Sequence, residues 1–251
     1  MDIPLSMNME SSEFNLEKSV KDFAFINRVR DSVIDLWNEG LNPIILIVGK
    51  SRRGKSTTAS IITEQLKTIL GDKINFEPDK HIKSEVQGFL EAIMQNQNSI
   101  LINEESENEL YSANWNTLES QLFHKVLVSQ GKQHNIYILI LHRFNDLNKN
   151  NRLKVDWLIT MAKKGFGYCQ KIENKANDIK DEIKLSAVRR YPIIKYDKEM
   201  INKELWEKWE NVVNPIKDKM AQESIDRLQK KHDKFIKDTL SDVVYPMILS
   251  V

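Results

Sequence analysis

The sequence predicts an α/β protein in which helices flank a parallel sheet. Three short runs are almost wholly apolar, namely Pro43–Val48, Ser99–Ile102 and Ile136–Leu141. They lack the alternation of a half-exposed strand, and they are typical of parallel strands that are covered on both faces. Segments with apolar residues at helical spacing separate the runs, and strands that alternate with helices favour a parallel sheet with right-handed crossovers.

The predicted elements follow one another without internal repeats. An N-terminal helical stripe is ended by Gly40, and Asn42-Pro43 separates it from the first strand. Gly71 ends a second helix in the same way. In chain order, we predict a helix at 16–39, a strand at 44–48, a helix at 56–70, a short strand at 74–76, a helix at 84–94, a strand at 99–102, a helix at 115–129 and a strand at 136–141.

The second half of the chain adds an edge hairpin and a helical end. Residues 155–161 and 166–172 predict the hairpin, and 187–196 predicts one more strand. The highly charged residues 202–240 predict a helix that is interrupted at Pro215. We therefore expect a flexible tail at residues 1–14, an α/β domain at residues 15–200 and a C-terminal helical extension at residues 201–251.

Composition excludes several classes of protein. The chain has 251 residues and a formal charge of +1, so a nucleic acid or a membrane must be met by a local patch. The single cysteine, Cys169, excludes an internal disulfide and a cysteine-rich zinc site. The longest apolar runs have about six residues against the ~20 of a membrane-spanning helix, and no signal peptide is evident, so we expect a cytoplasmic protein without a membrane span.

A phosphate-binding loop (P-loop) follows directly on the first strand. The residues from Gly49 to Ser56 fit G-x-x-x-x-G-K-[ST], between a buried strand and an amphipathic helix. Backbone N–H groups of such a turn point at phosphate oxygens at the positive end of the helix. Lys55 is expected to contact the outer phosphates, and the hydroxyl of Ser56 is expected to bind magnesium. The residues predicted to bind nucleotide are Gly49, Lys50, Ser51, Arg52, Arg53, Gly54, Lys55, Ser56 and Thr57.

A P-loop needs an acidic group at the end of a neighbouring strand. The run Ile100–Ile102 leads into Asn103, Glu104 and Glu105, and Asn103 stands where an aspartate is usual. In one register, Glu104 is the general base and Asn103 is a neutral partner of the metal. In the other register, Glu104 binds the metal and Glu105 is the base. The predicted metal site is therefore Ser56, Asn103 and Glu104, and a solvated acidic loop is the alternative.

Two further residues follow the strand 136–141. His142 could sense the outermost phosphate, and Arg143 could act as an arginine finger toward a neighbouring subunit. Both could equally be solvated loop residues. With Lys55 and Glu104, His142 and Arg143 complete the predicted catalytic set.

The hairpin carries a basic patch with Lys163-Lys164-Gly165 at its tip. From Arg143 to Lys171 there are seven Lys or Arg residues against two acids, with aromatic residues between them. Lys163, Lys164 and Arg152 could contact the phosphates of double-stranded DNA without reading its sequence. The alternative is an edge hairpin that lysines protect against aggregation.

The order of these motifs resembles a known family. The strings "IILIVGKSRRGKST", "SILINEES" and "VDWLITMAKKGFGYCQKIE" look like the P-loop ATPases of archaeal viruses and plasmids, which resemble the FtsK/HerA group of DNA-pumping ATPases. The resemblance implies a RecA-like, ASCE-type sheet, in which an inserted strand separates the P-loop strand from the Walker B strand. It also implies ATP and Mg²⁺ as cofactors, a homo-oligomeric ring such as a hexamer, and movement of duplex DNA in the host cytoplasm.

By position, the resemblance makes Lys55 and Ser56 the Walker A residues, Glu104 the catalytic glutamate and His142 the polar sensor, whereas Asn103 departs from the pattern. The leading hypothesis is an ATP-driven motor on DNA. A partition-type ATPase switch is the second, because Lys50 stands where those proteins carry a signature lysine. A small-molecule kinase ranks last, because no arginine-rich lid is evident.

Overall fold

The computed structural model describes residues 25–104, 118–129, 131–147, 149–173, 184–185, 194–195 and 201–248. Its helices are α1 (Phe25–Asn38), α2 (Lys55–Leu70), α3 (Pro78–His81), α4 (Val86–Gln95), α5 (Leu118–Ser129), α6 (Lys149–Arg152) and α7 (Lys203–Ile248). Its strands are β1 (Ile44–Val48), β2 (Ile82–Lys83), β3 (Ile100–Glu104), β4 (Ile136–Leu141), β5 (Trp157–Lys163), β6 (Phe166–Glu173), β7 (Lys184–Leu185) and β8 (Ile194–Lys195). The predicted tail at residues 1–14 lies outside the described residues.

The strands form one mostly parallel sheet in the order β2-β3-β4-β1-β5-β6-β7, with β8 also paired to β6. Strands β1 to β5 are all parallel, and β6 runs antiparallel to β5, with which it forms the predicted hairpin. Strand β4 lies between β1 and β3, as the inserted strand of the predicted sheet does. Val48 pairs with Leu141, and Glu104 pairs with Ile140, so the carboxyl ends of these strands share one edge. The predicted α/β fold is confirmed.

Burial explains the apolar runs of the three central strands. Every residue of β1, β3 and β4 is buried. On one face of the sheet, Leu46, Leu101 and Leu139 belong to a core cluster with Phe89 of α4 and Phe123 of α5. Helix α2 contacts β1 and β4, and it buries Ala59, Ile62 and Leu66. Both faces are therefore covered, as the continuous apolar runs predicted.

Two predicted elements differ from the structure. The strand expected at 74–76 is a single bridge between Asn75 and Ser99, and the edge strand is β2 instead. The chain turns away from the sheet into α3, which begins with Pro78, a residue suited to the first turn of a helix. The interruption expected at Pro215 is wrong, because α7 continues through that residue. A proline removes one backbone hydrogen bond and its ring crowds the carbonyl four residues earlier, which can kink a helix without ending it.

The chain divides into two compact units, one up to Trp209 and one from Glu210 onward. The predicted boundary at residue 200 stays a prediction. In the first unit, Trp209 is fully buried, and its ring lies 5.9 Å from that of Phe76. In the second unit, α7 exposes Leu228 and Phe235. No helix in the described ranges is long and apolar enough to cross a membrane.

A buried polar network holds the amino-terminal edge of the sheet. The side-chain amide of Asn42 donates to the hydroxyl of Tyr137 (2.8 Å), and its carbonyl accepts from the backbone N–H of Asn135 (3.0 Å). The side chain of Asn135 accepts from the N–H of Ser99 (2.9 Å). Burial raises the pKa of Tyr137 to about 12, so the hydroxyl keeps its proton. These bonds join the starts of β1, β3 and β4.

Asp156 makes the stability of the fold depend on pH. Its side chain accepts from the N–H of Ile44 (2.8 Å), and burial raises its pKa to about 6 from an ordinary 3.8. Between these values the folded state binds the extra proton, so stability is lost as pH rises from about 4 to 6. Asp156→Asn keeps an acceptor for Ile44 and does not titrate.

We expect the difference in unfolding free energy between Asp156→Asn and the wild type to shift in favour of the variant as pH rises from 4 to 7. The expected shift is up to about 3 kcal/mol. Urea unfolding of both proteins across this range measures the difference. A difference that stays constant with pH would contradict the raised pKa of Asp156 in the folded protein.

Candidate nucleotide site

The P-loop joins the end of β1 to the start of α2 in a tight turn. Gly49 and Gly54 have positive φ angles of 155° and 82°. A Cβ atom at Gly49 would lie 2.9 Å from the carbonyl oxygen of Met161, so only glycine fits there. Arg52 also has a positive φ, 61°, which costs an ordinary residue roughly 1–2 kcal/mol. The N–H groups at the start of α2, with the helix dipole behind them, are the groups to which an anion would bind.

Lys55 places its ammonium group inside the turn. The side chain is buried, and its Nζ donates to the carbonyl oxygen of Gly49 (2.8 Å). A buried ammonium is stable only with close polar or anionic partners. The position of Lys55 therefore places a positive charge inside the turn, beside the carbonyl oxygens of Gly49 and Lys50.

Ser56 meets the end of the neighbouring acidic strand. Its hydroxyl donates a hydrogen bond to Oε1 of Glu104, which is fully buried at the end of β3. A hydroxyl and a carboxylate are the oxygen ligands that Mg²⁺ prefers, and Mg²⁺ usually keeps several waters or phosphates besides one or two protein ligands. No group of three or more His, Cys, Asp or Glu side chains that could hold a metal ion occurs in the described part of the chain. Ser56 and Glu104 offer two oxygen ligands of the kind that Mg²⁺ prefers.

Asn103 lies on the opposite face of β3. Successive residues of a strand point to opposite faces, so Asn103 shares a face with Leu101, which packs in the core cluster. Both polar atoms of its side-chain amide are buried without a hydrogen-bond partner among the described residues. The structure therefore brings Glu104, and not Asn103, to Ser56. This geometry favours the register in which Glu104 binds the metal, while Glu105 lies outside the described residues.

His142 contacts the P-loop from the end of β4. Its Nε2 lies 2.8 Å from Oγ of Ser51, and its backbone carbonyl accepts from the N–H of Gly49 (3.1 Å). Arg143 is exposed, and its backbone N–H donates to Asp146 in the turn after β4 (2.8 Å). The structure thus brings His142 to the loop and leaves Arg143 at the surface.

The other side of the P-loop contacts the end of β5. The guanidinium group of Arg53 donates to the carbonyl oxygen of Ala162 (2.6 Å), and the hydroxyl of Thr58 lies 3.3 Å from the sulfur of Met161. Sequence reasoning missed Met161 and Ala162. No motif could have marked Ala162, because its contact with the loop is made by a backbone atom.

The residues of the predicted DNA patch differ in exposure and in their contacts. Lys163 and Lys164 are exposed at the hairpin tip, beside the P-loop. Arg152 instead lies over the ring of Phe144 and donates to Asn145 (2.8 Å). Among the remaining predicted nucleotide ligands, Lys50 and Arg52 are exposed and Thr57 is buried in α2.

Comparison with known proteins gives distant structural likenesses only. No protein-family model matches the sequence, and no curated protein matches it. The N-terminal domain of zonular occludens toxin from Neisseria meningitidis is 18% identical with a TM-score of 0.42, over 64% of this chain and 97% of that one. The genome packaging NTPase B204 from Sulfolobus turreted icosahedral virus 2, in complex with AMPPCP, is 13% identical with a TM-score of 0.38, over 58% of this chain and 96% of that one. At this similarity, function has to be argued from the site itself.

Proposed function

We propose that this chain binds and hydrolyses ATP with magnesium, and that it uses the energy to move DNA. The observation that carries the proposal is the hydrogen bond between Ser56 and Glu104. It joins the first turn of the P-loop helix to an acidic strand end two strands away in the sheet. A P-loop with an acidic partner in this place is typical of a nucleoside triphosphatase.

Each residue of the site has a role that follows from its position. The N–H groups of the turn and the ammonium of Lys55 hold the phosphates, and Ser56 and Glu104 hold the metal. Magnesium, when bound, neutralises charge on the phosphate oxygens. His142, whose Nε2 lies 2.8 Å from Oγ of Ser51, senses the outermost phosphate. With Glu104 at the metal, Glu105 is the residue next in sequence that can accept a proton from the attacking water.

The motor part of the proposal is supported by the sequence resemblance to DNA-pumping ATPases. It includes a ring-shaped homo-oligomer such as a hexamer, with Arg143 as the arginine finger toward a neighbouring subunit. The exposure of Arg143 at the carboxyl edge of the sheet suits this role. In a ring, the same edge of one subunit can face the nucleotide of the next.

Phosphate release from ATP tests the proposal. The purified chain is assayed with Mg²⁺, with EDTA, and with Mg²⁺ plus duplex DNA, and its assembly is followed by sedimentation. We expect magnesium-dependent turnover that duplex DNA stimulates, together with rings. Turnover that ignores DNA in a monomer would remove the motor and keep the ATPase. Dimers that need ATP, without rings, would favour a partition-type switch, and the absence of both binding and turnover would refute the whole proposal.

A further inference from the structure

The P-loop lies between two different sets of partners. On one side, Ser51 contacts His142 at the end of β4, and Ser56 contacts Glu104 at the end of β3. On the other side, Arg53 contacts Ala162 at the end of β5. Because β1 separates β4 from β5 in the sheet, these two sets of contacts lie at opposite ends of the loop. We call the end at Ser56 and Glu104 the metal end; the other end lies at β5.

The metal end determines the direction of a nucleotide in the site. A magnesium ion here would be held by Ser56 and Glu104, and it would neutralise charge on the outer phosphates of a nucleoside triphosphate. A triphosphate that lies along the loop with its outer phosphates at Glu104 directs its α-phosphate and nucleoside away from β3 and β4. They then approach the end of β5.

The end of β5 is the tip of the β5–β6 hairpin, Ala162–Gly165. Lys163 and Lys164 are exposed there, and Nζ of Lys163 lies 5.4 Å from the ring centroid of Phe166. Gly165 has a φ of 75°, which allows the chain to reverse directly after the two lysines. The tip thus carries two exposed lysines, and its first residue contacts the P-loop.

The hairpin tip is held against the P-loop by direct contacts. The bond from Arg53 ends on the carbonyl of Ala162, the first residue of the tip. One residue earlier, Met161 packs so closely on Gly49 that no Cβ atom fits between them. The tip therefore has a fixed position relative to the nucleotide site, which a surface hairpin that only improves solubility would not need.

We propose that the hairpin tip forms the nucleoside side of the nucleotide site, with Lys163 and Lys164 facing the α-phosphate and sugar of a bound nucleoside triphosphate. The proposal rests on the proposed function, because it uses the metal end to orient the nucleotide. It assigns the two lysines to nucleotide binding, whereas the sequence alone suggested DNA.

Calorimetric titration tests this assignment with two ligands, magnesium ATP and magnesium pyrophosphate. Pyrophosphate has no nucleoside and needs only the metal end of the site. We expect Lys163→Ala/Lys164→Ala to weaken ATP binding about tenfold and to leave pyrophosphate binding unchanged. The single variants Lys163→Gln and Lys164→Gln keep long side chains and should weaken ATP binding in the same direction by less. The matched control is Lys73→Ala/Lys132→Ala, which removes two exposed lysines at the amino-terminal edge of the sheet.

The outcomes separate this proposal from the proposed function. Wild type that binds neither ligand would refute the nucleotide site itself. If the tip variant binds ATP as the wild type does, the ATPase stands and the nucleoside assignment falls. If the variant keeps its ATP affinity but loses affinity for a duplex DNA fragment, the tip contacts DNA instead. Equal weakening of ATP and pyrophosphate would also overturn the assignment, because it would place the lysines at the outer phosphates.

Discussion

Lys55→Ala is expected to weaken binding of magnesium ATP by about 100-fold or more, because several charge-assisted contacts to the outer phosphates are lost together. The ammonium lies inside the P-loop at the carbonyl of Gly49. Lys55 is the buried basic residue of the turn, whereas Lys50 and Arg52 are exposed and Arg53 donates to the carbonyl of Ala162. Calorimetric titration of both proteins with magnesium ATP measures the loss.

The matched control is Lys67→Ala, which removes an exposed lysine from the same helix. It should bind ATP as the wild type does. The free energy of unfolding of Lys55→Ala, measured by urea titration, shows that the variant is folded under the conditions of the binding experiment. Loss of ATP affinity in a folded Lys55→Ala protein therefore reports the phosphate contact. Unchanged affinity would contradict the P-loop assignment.

Glu104→Gln is expected to bind magnesium ATP and to hydrolyse it about 10²–10³-fold more slowly. The glutamine carbonyl can still accept the hydrogen bond from Ser56, so the P-loop should keep its shape. The negative charge beside the metal is lost, however, and the affinity for Mg²⁺ falls with it. Steady-state turnover over a range of Mg²⁺ concentrations measures both effects.

The Mg²⁺ dependence distinguishes the two roles of Glu104. A metal-binding Glu104 predicts that Glu104→Gln needs more Mg²⁺ for half-maximal turnover. A general base predicts low turnover with an unchanged Mg²⁺ requirement. Turnover equal to that of the wild type would refute both roles.

Asn103→Asp is the matched control for the register. If residue 103 faced the metal, the new carboxylate should raise turnover. The structure places Asn103 on the opposite face of β3, where its amide is buried without a partner among the described residues. We therefore expect Asn103→Asp to lower the thermal stability, because it buries an unpaired charge, and to give no gain in turnover.

The central sheet could be predicted from the sequence because its signals are local. The apolar runs of β1 and β4 are buried along their whole length, and Ile136–Leu141 was predicted with its observed bounds. Weak local signals failed. The edge strand forms at Ile82–Lys83 and not at 74–76, because a two-residue strand depends on a neighbouring strand more than on its own composition. The persistence of α7 through Pro215 likewise depends on the helical residues on both sides of the proline.

By itself, the sequence determined the P-loop and the kind of sheet that carries it. A phosphate turn is built from consecutive residues, and a covered parallel strand is apolar at every position, so both are visible in the order of residues. Only the tertiary structure decided that Glu104 rather than Asn103 meets Ser56, and that the hairpin tip lies against Arg53. The first contact joins residues that are 48 positions apart in the chain, and the second joins residues that are 109 positions apart. The first contact depends on which face of β3 lies toward α2, and the second depends on which strand pairs with β1. Long-range packing determines both arrangements.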